Sequence, residues 1–199
     1  MNNPKVRSRE NVLLLCSLMA VAAFGTSAGA QAQREIDVAK SVLTVRVYKT
    51  GLFSAFAHDH EVRAPIRKGT FDEQKRSVEF QVDSRELKVL DPDGSDSERS
   101  QVQHTMLGPK VLDSEQFKEI TFRSTSIDSV GANKWTVTGD LSLHGQTHPV
   151  RVDVEGADGH YRGSVKLRQT EFGITPVSIG GGSIKVKDDV RIELEIVGK

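Results

Sequence analysis

Two histidines flank one aspartate at His58-Asp59-His60. In extended backbone, residues two apart share a face. Both imidazoles could then hold one zinc or copper ion. A third ligand would have to come from His104, His144, His148 or Glu61, none of which stands at a fixed ligand spacing. The competing assignment is a polar loop, or a histidine packed at the mouth of a barrel. His144 and His148 flank Gly145-Gln146-Thr147. They could titrate together near neutral pH, and their place at a turn predicts exposed side chains.

Other reaction chemistry finds little footing. Serines, histidines and aspartates are present, but no G-x-S-x-G elbow. Gly180-Gly181-Gly182 lacks the lysine and hydroxyl spacing of a phosphate loop and the strand–helix setting of a dinucleotide site. It reads as a hairpin connection. The one cysteine, Cys16, lies in a segment expected to be removed, which leaves neither a thiol nucleophile nor a disulfide. The expectation is a protein that is not an enzyme.

The elements that carry these residues follow a period of two, the pattern of half-buried strands. Leu43, Val45 and Val47 alternate with polar neighbours, as do Val78, Phe80 and Val82, and Ile120 and Phe122. Trp135, Val137, Leu141 and Leu143 share one phase. Val150, Val152 and Val154 form the next run, then Val165 and Leu167, then Val190, Ile192, Leu194 and Ile196. A further strand ends at Gly69-Thr70-Phe71. Short turn signals at 129–133, 144–147 and 156–159 favour antiparallel hairpins. One stretch, Ser97 to Leu107, reads as a helix with a narrow apolar stripe of Val102, Met106 and Leu107, stopped by Gly108-Pro109.

About eight antiparallel strands and one helix predict an all-β fold. A sheet with one apolar face is buried by forming a sandwich or by closing into a barrel, and closure also removes exposed edges. A barrel of that size is filled by side chains or holds one small ligand. The candidate interior residues are Phe80, Phe122, Leu141, Leu143, Val165 and Leu167. Alternation points Lys166 and Arg168 the other way.

Residues 1–30 read as a cleavable signal peptide. Lys5, Arg7 and Arg9 precede an apolar core from Val12 to Phe24; Ala28-Gly29-Ala30 fits a cleavage site, and Ala30-Gln31-Ala32 fits almost as well. The core has 13 residues, against roughly 20 for a membrane span. Cys16 sits mid-core after three leucines, not after small residues at its end, which argues against lipid modification. The expected mature domain is 31–199. Cleavage takes three basic residues and one acidic from 27 of each. The resulting near-neutral charge offers no footprint for nucleic acid or an acidic membrane.

Several blocks resemble a known family. They are Phe117-Lys118-Glu119-Ile120-Thr121-Phe122-Arg123-Ser124, the hairpin from Val137 to Val150, Arg168 followed by Phe172-Gly173-Ile174, and Asp188-Asp189-Val190-Arg191-Ile192. In order and spacing, over about residues 36–197, they resemble the YceI-like family. Two departures are the histidine-rich section 51–61 and Glu171, where an aspartate-like residue is usual. The resemblance implies an eight-stranded lipocalin-like barrel with a helical insertion. It also implies a periplasmic carrier whose cavity holds an isoprenoid lipid, either a polyprenyl phosphate or an isoprenoid quinone, with no catalytic residues and no other cofactor. A homodimer is compatible with the sequence, which does not fix the oligomeric state. The competing function is a metal-binding or stress-response accessory protein using His58 and His60.

Overall fold

The computed structural model describes residues 33–51 and 59–199. The expected signal peptide and His58 lie outside these residues. Where the sequence alternates, strands form: β2 (Val42–Thr50), β4 (Ile66–Asp72), β5 (Ser77–Asp83), β7 (Glu119–Gly131), β8 (Lys134–Leu143), β9 (Gln146–Ala157), β10 (His160–Arg168) and β12 (Ile184–Val197). Four more carry no readable period because they are short. These are β1 (Arg34–Glu35), β3 (His60–Ala64), β6 (Lys88–Val89) and β11 (Ser178–Ile179). Among the described residues the count is therefore 12 strands, not eight, in one curled antiparallel sheet.

The order is β1-β4-β5-β7-β8-β9-β10-β12-β2-β3-β6, with β11 on β12. β7 with β8, β8 with β9 and β9 with β10 are hairpin neighbours, as the turn signals predict. Pro65 separates β3 from β4; without an N–H it cannot donate to a ladder. The register of β4 on β5 slips directly after it, between Ile66 and Lys68. β1 pairs with β4, and the adjacent Ile36 bridges Gly198 beyond the end of β12.

Direct pairing stacks apolar side chains on one face of the sheet. Phe80 lies opposite Phe122, and Phe122 opposite Leu141. On the other side of the curl, Val165 faces Ile192, Ile192 faces Val45, and Val45 faces Val62. Such cross-strand pairs are the stabilising unit of a sheet. Gly139 lets the first row form: a Cβ there would stand 2.5 Å from the Phe122 ring and 2.5 Å from the Arg123 carbonyl. The Phe80 and Phe122 rings stack at 5.4 Å.

The helix, α1 (Asp96–Leu107), starts under a capping box in which Ser95 and Glu98 satisfy each other's backbone N–H. It ends where the Gly108 N–H bonds the His104 carbonyl. Gln103 fixes it to the sheet: its amide donates to the Leu87 carbonyl at 2.7 Å and accepts from the Val89 N–H at 2.8 Å. Val102, Met106 and Leu107 pack against the core as a half-buried stripe. No helix among the described residues is long and apolar enough to cross a membrane.

Candidate ligand-binding cavity

The curled sheet encloses a cavity of about 520 Å³, within the usual range of about 300–1,000 Å³ for small-molecule sites. All six residues expected inside the sheet line it: Phe80, Phe122, Leu141, Leu143, Val165 and Leu167. Phe122, Leu141 and Leu167 are buried; Phe80, Leu143 and Val165 are half-buried. Their inward direction follows from strand phase. Trp135 also lines the cavity. Its phase with Leu141 and Leu143 was the signal for it. Its indole N–H donates to the Gly156 carbonyl at 3.3 Å.

The two ends differ. At one, buried Leu87, Leu112, Phe172 and Ile174 join the lining beside α1 and the turn after β10. The other carries most of the polar lining: Asp72, Glu73, Arg76 and Ser77 around the β4–β5 turn, and Asp158 and Tyr161 around the β9–β10 turn. Glu73, Arg76, Ser77 and Asp158 are exposed. Exposed residues that also line the interior mark this end as the mouth. Periodicity could not find Glu73, Arg76 and Asp158, because turns have none, and Ser77 opens β5 on the polar phase.

Tyr161 joins the two turns by donating its hydroxyl to Glu73 Oε1 at 2.7 Å. Burial, and then that carboxylate, push the phenol up to about 12. The Tyr161 ring meets Phe71 edge-on at 5.8 Å. Arg34 lies over the other partner of this group, with its guanidinium carbon 5.4 Å from the Phe71 ring centre. Arg34 also donates twice to the Lys199 carbonyl at 3.1 Å and stands 3.9 Å from Glu73. Lys75 contacts Asp72 through Nζ at 3.4 Å and through its backbone N–H at 2.8 Å. The backbone bond comes first among the causes that lower the Asp72 pKa.

Arg168, expected to point away, reaches the lining at the opposite end. β10 stops there and the chain turns into the 3₁₀ segment Gln169–Phe172. Its guanidinium is nevertheless spent on Glu171. Lys166 is exposed and stands away from the lining.

The histidines are dispersed. His60 Nδ1 lies 2.6 Å from Asp91 Oδ2, and Asp91 Oδ1 accepts the Glu61 N–H at 2.8 Å. Glu61 itself pairs with Arg46 at 2.7 Å. His144 and His148 are half-buried, not exposed as their turn position predicts. His144 contacts the Phe172 carbonyl at 3.1 Å and the Phe117 ring at 4.5 Å, and His148 meets the Phe172 ring at 5.3 Å. The 3₁₀ segment folds over them, a long-range contact that local sequence does not announce. Among the described residues, no group of three histidine, cysteine or carboxylate side chains could hold a metal.

The model of the YceI-like domain matches residues 35–198. The chain belongs to the YceI-like family. Among YceI-like relatives, a UPF0312 protein of Vibrio parahaemolyticus is 29% identical over 132 residues, spanning 63% of this chain and 68% of the relative. One from Shewanella denitrificans is 33% identical over 108 residues, spanning 49% and 56%. The crystal structure of BcnA from Burkholderia cenocepacia is similar at a TM-score of 0.59 with 20% identity, covering 82% of this YceI-like chain and 99% of that one. That likeness concerns the fold.

Proposed function

We infer that this chain is a non-catalytic carrier or reservoir for an isoprenoid lipid. The single observation that carries the reading is the cavity: about 520 Å³, lined mainly by apolar side chains, with most of its polar groups at one mouth. An apolar space of this kind favours a hydrocarbon over water. At about 0.8 kcal/mol per buried CH₂, a fifteen-carbon prenyl tail gains on the order of 12 kcal/mol gross. An association cost at the low end of about 4–15 kcal/mol leaves roughly micromolar affinity from the tail alone. No specific polar contact is needed for retention.

The reading includes closure into an eight-stranded barrel. β1 with β2, β3 with β4, and β5 with β6 each act as one interrupted strand, and β7, β8, β9, β10 and β12 complete the ring. Register supports this. β1 pairs with β4 and β2 with β3, while β5 pairs with β4 and β6 with β3. β2 pairs with β12, and Ile36 bridges Gly198. The reading also includes export: the signal peptide over residues 1–30 sends the mature domain, 31–199, to the periplasm. There a water-insoluble lipid needs a shield between membranes.

The test is uptake. Protein stripped of lipid is mixed with farnesol and passed through gel filtration, with Trp135 fluorescence as a second readout. Retention near one farnesol per chain supports the carrier. Protein that emerges empty and leaves Trp135 unperturbed rejects it.

A further inference from the structure

Resting on the carrier reading, we propose that the mouth selects an isoprenoid with an uncharged polar head over one with a phosphate or diphosphate. The inference comes from the charge balance of the mouth. Its lining holds three carboxylates and one cation, but Glu73 pairs with Arg34 and Asp72 with Lys75, which leaves Arg76 and Asp158 as its unpaired charges among the described residues. The two further cations beside it are already engaged. Arg34 is held by Glu73, the Lys199 carbonyl and the face of Phe71. Lys75 is held by Asp72.

A phosphate monoester brings about −1.5 to −2 charges and is recognised by clustered cations, above all by arginine forks. Here Arg76 is the one unpaired cation of the described mouth, and the unpaired carboxylate of Asp158 offsets it. The opposite end is no better. Its lining arginine, Arg168, is paired with Glu171 and has Asp188 and Asp189 nearby. An uncharged head needs no cluster of free cations. Ser77 and Arg76 have side-chain donors that make no bond or ion pair among the described residues, and they suit a carbonyl or hydroxyl oxygen. The Tyr161 hydroxyl, which donates to Glu73, keeps its oxygen available to accept.

Three probes with the same fifteen-carbon tail test this: farnesol, farnesyl monophosphate and farnesyl diphosphate. Each is titrated into the full mature protein at low salt, with Trp135 fluorescence as the readout. Farnesol is expected to bind at least about tenfold more tightly than the diphosphate, because like charge is most costly where screening is weak. Asp158→Asn removes one carboxylate at a left-handed position that asparagine tolerates. It should narrow the ratio several-fold. Equal or tighter binding of the diphosphate to the unmodified protein overturns the selectivity and leaves the carrier standing. An unchanged ratio in Asp158→Asn also overturns it. If none of the three probes binds, the carrier reading fails, and the selectivity with it.

Discussion

The Tyr161 hydroxyl donates to Glu73 at 2.7 Å and so ties the start of β10 to the β4–β5 turn at the cavity mouth. The bond joins residues 88 apart in sequence and belongs to a cluster with Phe71 and Arg34. Tyr161→Phe keeps the ring and deletes the bond. The expected loss is about 0.5–1.5 kcal/mol in chemical denaturation.

The same contact carries a pH dependence. The phenol titrates near 10.0 when free and at about 12 in the fold. The folded state therefore keeps its proton longer than the unfolded state. The associated stability is fully present below pH 10 and is lost as pH rises toward 12. Thermal unfolding from pH 9 to 11 should show a steeper decline for the unmodified protein than for Tyr161→Phe. Parallel declines would remove Tyr161 as the source.

Asp83 gives the opposite sign. Its hydrogen bonds to the Arg85 side chain hold it down at about 2, from 3.8. The carboxylate also accepts the Arg85 N–H and caps the 3₁₀ turn that leads from β5 toward β6. Its stabilisation is present above pH 3.8 and is lost as pH falls toward 2. Asp83→Asn should flatten that acid limb in circular-dichroism unfolding between pH 4 and 2. An unchanged limb would count against the assignment.

Gly139 is the narrow point of the interior. An added methyl meets the Phe122 ring and the Arg123 carbonyl, each at 2.5 Å. The backbone cannot yield cheaply, so Gly139→Ala should destabilise the fold by about 1–3 kcal/mol, as overpacking does. It should also shift Trp135 emission as Phe122 moves into the cavity. A variant as stable as the parent would mean that the strands can part there.

How much of this was legible in the residues follows from periodicity. Phe80, Phe122, Leu141, Leu143, Val165 and Leu167 all line the cavity because they lie in regular strands, where a period of two assigns a face. Asp72, Glu73, Arg76 and Asp158 were not legible. Asp72 is the last residue of β4 and the others sit in turns, where Arg76 and Asp158 have positive φ, so no run of alternation relates them to the interior. β3 was missed for a related reason: Pro65 cuts it off from β4 and leaves a piece too short to show alternation. The half-buried His144 and His148 depend on Phe172, a partner 28 residues away from His144. That dependence is tertiary.

A filled cavity separates binding from folding. Val165 is half-buried and lines the open space. Val165→Phe adds volume there without the crowding of a solid core, so stability should change by less than about 1 kcal/mol, against about 1–3 for overpacking a dense core. Farnesol uptake should nonetheless fall at least about tenfold, since tail burial supplies most of the affinity. A large loss of stability would indicate a solid interior.

The central claim is most directly tested by organic extraction of the protein purified from its own cells, followed by mass spectrometry of the extract. The expected result is an isoprenoid lipid with an uncharged head, near one per chain and depleted in Val165→Phe. Protein that repeatedly emerges without lipid, and that takes up none when offered, would contradict the account.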